Sequence, residues 1–240
     1  MRWRKQQRLA RADGAGEMAE RFSECLRKKA GGIWEAQHAH PFVRGIGEGT
    51  VGLERFKFWV RQDYVFLIEY ARLLALAAAR SPDLRTMTRF AQLATETLQT
   101  EMSLHRSYAA EFGISHEELE GEPAAPTTKA YTDFLLRVAA TADFAELVAA
   151  LLPCMWSFSE IGQRLARQAR PADERYAKWI DLYASGEFAA LAQWCRDLLD
   201  RLAEGLPERE LWKLEAAFLS SSRYEWQFWE MAWKIEDWPV

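Results

Sequence analysis

Apolar residues recur at three- and four-residue steps along most of the chain, and the interruptions divide it into helices. Met18 to about His38 reads as an amphipathic helix carrying Phe22, Cys25, Leu26 and Trp34, with Gly31-Gly32 loosening its middle. His40-Pro41-Phe42 breaks it, and a turn containing four glycines leads to Leu53. Leu53 to Arg80 is one long helix. Ser81-Pro82-Asp83 restarts the chain with an N-cap serine, a proline at the first helical position and an acid in the first turn. The helix that follows runs to Phe112 and is closed by Gly113. Ile114 to Thr128, with Gly121, Pro123 and Pro126, reads as a loop, and Lys129 to Ala140 as a helix. Asp143 and Glu146 have the form of a capping box opening an apolar helix that continues to about Arg170. Asp173–Tyr183, Glu187–Gly205 and Pro207–Trp233 complete the set. No alternating run bounded by turns predicts a strand. The pattern predicts an all-α bundle with a single domain over 18–240.

Within that pattern, polar residues stand where core is expected. Phe56, Trp59, Asp63, Phe66 and Tyr70 fall on one face of the long helix, so an acid sits among four rings. A carboxylate is costly to bury unless it is paired or hydrogen-bonded. Asp63 therefore pairs with an arginine such as Arg72 or Arg164, or it serves a ligand. The last helix repeats the arrangement: Phe218, Ser221, Glu225, Phe228 and Ala232 share a face, flanked by Tyr224 and Trp229. Two such acids at opposite ends of the chain point to a polar pocket lined with rings. Tyr131 and Tyr183 are further candidates, although packing with the hydroxyl at the surface accounts for either alone. In the stretch LLPCMWSFSE, Pro153 predicts a kink and presents Cys154 beside it, with Phe158 one turn on. Buried cysteines mostly act as small hydrophobes, so this stretch gains meaning only from its partners.

Composition narrows the field. A net charge of -4 over 240 residues gives no electrostatic footprint for nucleic acid or an anionic membrane. No apolar run reads as long enough to span a bilayer. Three widely spaced cysteines argue against a disulfide framework and favour a reducing cytoplasm. Residues 1–17 are basic without an apolar centre, and read as a disordered arm ahead of a natural start at Met18. Glu101 and His105 stand four apart, a spacing that suits two metal ligands. A di-iron bundle, however, needs two Glu-x-x-His pairs plus two further glutamates, and the second half of the chain has no histidine. No metal or organic cofactor is expected.

Five stretches carry a family likeness: HPFV at 40–43, FWVRQDYVFL at 58–67, LLPCMW at 151–156, WIDLYASGEF at 179–188 and SSRYEWQFWEMAW at 221–233. In this order and spacing the chain resembles the TenA family, also called thiaminase II or aminopyrimidine aminohydrolase, on the haem-oxygenase-like all-α fold. The resemblance implies that Cys154 is the nucleophile, Glu225 the catalytic acid/base and Asp63 the carboxylate that grips an aminopyrimidine. It also implies that Tyr131 and Tyr183 border the pocket. Phe66 and Phe158 fall where many members carry tyrosine, so a hydroxyl beside the thiol is missing at Phe158. The activity implied is hydrolytic release of a hydroxymethylpyrimidine from an aminopyrimidine precursor or thiamine, in thiamine salvage, by a homotetramer. The alternatives are a cofactor-biosynthesis oxidase or di-iron oxygenase on the same fold, or a non-catalytic aminopyrimidine-binding or regulatory protein.

Overall fold

The computed structural model describes residues 20–240, so Met18 and the basic arm expected at 1–17 lie outside the described residues. Twelve α-helices and one π-helical turn follow, and no strand occurs among the described residues. They are α1 (Phe22–Lys29), α2 (Gly31–His38), α3 (Pro41–Glu48), α4 (Leu53–Arg80), α5 (Leu84–Glu96), the π turn (Thr97–Glu101) and α6 (Met102–Glu111). Then come α7 (His116–Glu120), α8 (Pro126–Thr141), α9 (Phe144–Leu165), α10 (Glu174–Tyr183), α11 (Gly186–Ala203) and α12 (Glu208–Lys234). The helices share one continuous hydrophobic cluster. Its axis is α9, which packs chiefly against α12 and α11.

The departures from the sequence pattern have local causes. The first helix is divided at Ala30, ahead of the glycine pair. Pro41 opens a helix rather than breaking one: it occupies the first turn of α3, where no N–H is needed, and His40 Nδ1 accepts from Phe42 N at 3.2 Å. Gly49, at φ 74°, closes α3 in the left-handed conformation that glycine adopts without strain. Asp83, not Ser81, caps α5, accepting from Thr86 N at 2.9 Å. Ser81 instead returns its hydroxyl to Ala77 O at the end of α4. The expected loop at 114–128 holds α7, capped by a reciprocal Ser115–Glu118 box, and α8 begins at Pro126. Asp143 caps α9 as expected, but the helix ends at Leu165.

Two features fix the parts that matter for the site. Gln62 on α4 donates to Pro123 O and accepts from Ala125 N and Thr128 Oγ1, pinning the start of α8 against α4. Gly162 on α9 lets the end of α10 approach closely, since a Cβ there would lie 2.5 Å from the carbonyl carbon of Tyr183. Pro153 stands inside α9, which runs on through it. By length and composition α9 is apolar enough to cross a membrane, contrary to the expectation from sequence, yet 67 % of that stretch is buried inside the bundle.

Candidate functional site

Asp63, Phe66 and Tyr70 of the α4 stripe line a cavity of about 530 Å³ between α4, α5, the π turn, α9 and the α10–α11 corner, and the α12 stripe does not reach it. Asp63, Phe66, Cys154, Phe158, Tyr183 and Glu101 are among the residues in its wall. All five positions of the α4 stripe are buried, and so are all five of the α12 stripe. Glu225 and Tyr131 form the layer behind the wall. The Tyr131 hydroxyl donates to Glu225 Oε1 in a short hydrogen bond and lies 2.8 Å from Ser221 Oγ. Both tyrosines are buried, which corrects the expectation of surface hydroxyls.

Aromatic rings build the rest. Phe66 packs against Tyr70, Tyr131 and Phe228 with centroids 5.1 to 5.6 Å apart. Phe158 packs against Tyr183 at 4.9 Å and Trp229 at 5.0 Å. These offset and edge contacts hold the two phenylalanines as fixed apolar walls.

Asp63 finds neither proposed arginine. Arg72 pairs with Glu69 on its own helix, and Arg164 lies 3.4 Å from Glu35 at the surface. Its partner is His105 on α6, whose Nε2 lies 2.6 Å from Oδ2. The contact is too poorly aligned to be a good hydrogen bond, and both atoms are otherwise unpartnered. The opposite ring nitrogen, Nδ1, stands 2.9 Å from Glu101 O. With an acceptor facing each nitrogen, the imidazolium is favoured. Burial lowers the pKa of His105, but Asp63 and Glu101 outweigh it and the net shift is upward. The Glu101–His105 spacing thus places a histidine behind Asp63, and among the described residues no three of His, Cys, Asp and Glu are grouped to hold a metal ion.

Three further groups set the electrostatics. Burial pushes the Glu225 carboxyl up to about 8, against the Tyr131 hydrogen bond and with the charge of Asp63 adding to it. Glu101 is pushed up to about 7, by burial first and then by Asp63. The Cys154 thiol is held well above its ordinary value by burial, then by Glu225, Glu101 and Asp63; the Tyr70 hydroxyl opposes them. The single Tyr70 hydroxyl proton is directed at Leu151 O, 3.2 Å away. Tyr70 supplies a hydroxyl beside the thiol at a position that the sequence placed only in the aromatic stripe.

Residues 27–235 match the TENA/THI-4/PQQC family. The chain is 48 % identical over 218 residues to an aminopyrimidine aminohydrolase of Halalkalibacterium halodurans, covering 90 % of this chain and 97 % of that one. A TenA homologue from P. horikoshii OT3 superposes with a TM-score of 0.83 at 29 % identity, covering 90 % of this chain and 99 % of the other. A domain of unknown function with a heme oxygenase-like fold from Shewanella denitrificans OS217 superposes with a TM-score of 0.69 at 14 % identity, covering 88 % of this chain and 92 % of that one, a likeness of fold alone.

Proposed function

The chain belongs to the TENA/THI-4/PQQC family, and we propose that it is a hydrolase releasing 4-amino-5-hydroxymethyl-2-methylpyrimidine in thiamine salvage. Its substrates are aminopyrimidines with a leaving group on the 5-methylene, thiamine among them. The observation that carries this reading is the placement of Cys154 and Asp63 in the wall of one cavity, with Glu225 buried directly behind.

In this mechanism Asp63 accepts from the exocyclic amine of the ring. His105 stands against Oδ2 as its charge partner, leaving Oδ1 for the ligand. Phe66, Phe158 and Tyr183 sandwich the flat ring and exclude water. Displacement at the methylene needs electrons from the ring, and addition of Cys154 to a ring carbon supplies them by breaking aromaticity. Cys154 rests as a thiol, since burial and three carboxyl groups disfavour the thiolate. Glu225, which holds its proton at neutral pH, gives that proton to a ring nitrogen while its other oxygen takes the thiol proton. The leaving group departs with the bonding pair, and water adds to the methylene, its surplus proton passing to the departed group or to solvent. The ring-nitrogen proton then returns to Glu225, and Glu225 returns one to sulfur as the carbon–sulfur bond breaks, which restores the ring and the thiol. Tyr131 fixes the rotamer of Glu225 throughout.

We place the enzyme in the cytoplasm as a homotetramer acting on a small molecule, with no nucleic acid or membrane as partner. Leu76, Leu84, Met87 and Leu98, exposed on α4, α5 and the π turn, offer apolar surface for such an assembly. Light scattering tests the assembly. The activity is tested by a product assay over a panel of 5-substituted aminopyrimidines. Hydroxymethylpyrimidine is expected from the wild type and none from Cys154→Ser at unchanged melting temperature; binding without turnover by the wild type would instead favour a non-catalytic role.

A further inference from the structure

Glu101 closes the π turn between α5 and α6. Such turns are rare and concentrate at functional sites, where the extra residue re-aims a side chain. Thr97, Thr100 and Glu101 of this turn all face the cavity. His105 links the turn to Asp63: its Nδ1 stands 2.9 Å from the Glu101 carbonyl oxygen and its Nε2 2.6 Å from Asp63 Oδ2. Glu101 is half-buried in the cavity wall, and among the described residues no Lys or Arg lies within ion-pair distance of its carboxyl group. The mechanism above makes no use of it.

The ring chemistry assigns it a place. In an aminopyrimidine the carbon bearing the 5-methylene stands between the carbon bearing the amine and the carbon attacked by the thiol. With Asp63 on the amine and Cys154 on the attacked carbon, the substituent projects between them. Glu101 acts electrostatically on both residues and shares their cavity. We propose that Glu101 is a catalytic acid that protonates the departing nitrogen when the leaving group is an amine. This rests on the hydrolase reading above.

The carboxyl proton passes to the amine nitrogen, the carbon–nitrogen bond breaks with its electron pair on nitrogen, and neutral amine leaves with Glu101 as carboxylate. Water adds to the cationic methylene and its surplus proton returns to Glu101. A proton-bearing carboxyl group is therefore required at the start, and burial with Asp63 nearby raises its pKa to about 7. A thiazolium leaving group, as in thiamine, already departs as a neutral molecule and needs no such proton.

The test is Glu101→Gln, near-isosteric, assayed beside the wild type on a 5-aminomethyl aminopyrimidine and on thiamine. The expected result is a loss in kcat of about 100-fold or more on the aminomethyl substrate. On thiamine, activity should stay within roughly threefold, a retention that also shows the variant to be folded. Equal losses on both substrates, or no loss on either, would overturn the assignment while leaving the hydrolase reading intact. Absence of product from the wild type with both substrates would overturn the two together.

Discussion

Two glutamates, the half-buried Glu160 on α9 and the fully buried Glu225 on α12, show opposite treatments of the same side chain. Glu160 accepts from Arg27 at 2.5 Å and contacts His38 Nε2 at 2.9 Å. Burial alone would raise its pKa, but His38 and Arg27 bring it down to about 2. Glu225 accepts from the Tyr131 hydroxyl, has no cation partner among the described residues, and is pushed up to about 8 by burial. A carboxylate given cations stays charged and ties α9 to α1 and α2. One denied cations keeps a proton that it can deliver. Burial alone does not decide whether a carboxyl group keeps its proton; the absence of a compensating cation does.

The largest expected effect of breaking this contrast is on activity. Glu225→Gln should lower kcat by about 100-fold or more, without loss of melting temperature, because an amide is cheaper to bury than an unpaired carboxyl group. Glu160→Gln should leave kcat within roughly twofold and cost on the order of 2 kcal/mol, since Arg27 and His38 lose their counterion in a partly exposed site. Steady-state kinetics and thermal melts on the pair check both.

Next in size, Asp63→Asn should raise KM by about 10- to 100-fold, the worth of a hydrogen bond to a charged group. Calorimetric titration with an unreactive aminopyrimidine measures it.

The two acids also give opposite pH signatures in stability. Glu160 has a folded pKa below its ordinary 4.5, so its contribution is present above 4.5 and is lost as pH falls toward about 2. Glu225 has a folded pKa above 4.5, so its contribution is present below 4.5 and is lost as pH rises toward about 8. Denaturation across pH should show a flatter acid limb in Glu160→Gln and a flatter limb between 4.5 and 8 in Glu225→Gln. The smallest effect is expected of Tyr131→Phe, which removes one hydrogen bond to Glu225 and should slow turnover by about fivefold.

Much of this arrangement is legible in the chain. The α4 and α12 stripes name Asp63 and Glu225 because period and burial are local properties of a helix. The apolar run around Cys154 marks α9 as the central helix for the same reason. What stays hidden depends on pairing between helices. His105 meets Asp63 across α6 and α4, where spacing along either helix says nothing, so Arg72 and Arg164 look as suitable as the true partner. Tyr70 looks like packing until α9 lies beside it. The π turn leaves no periodic trace, since one five-residue turn inside a long apolar pattern only shifts its phase. Pro41 is ambiguous because the same ring that breaks a helix interior begins a helix well.

The central claim is that Cys154 bonds to the pyrimidine ring during turnover. Mass spectrometry of protein quenched during turnover, followed by peptide mapping, tests it most directly. The claim predicts a pyrimidine adduct on the peptide containing Cys154, and neither adduct nor turnover in Cys154→Ser. Undiminished product release by that variant, or an adduct confined to Cys25 or Cys195, would contradict it.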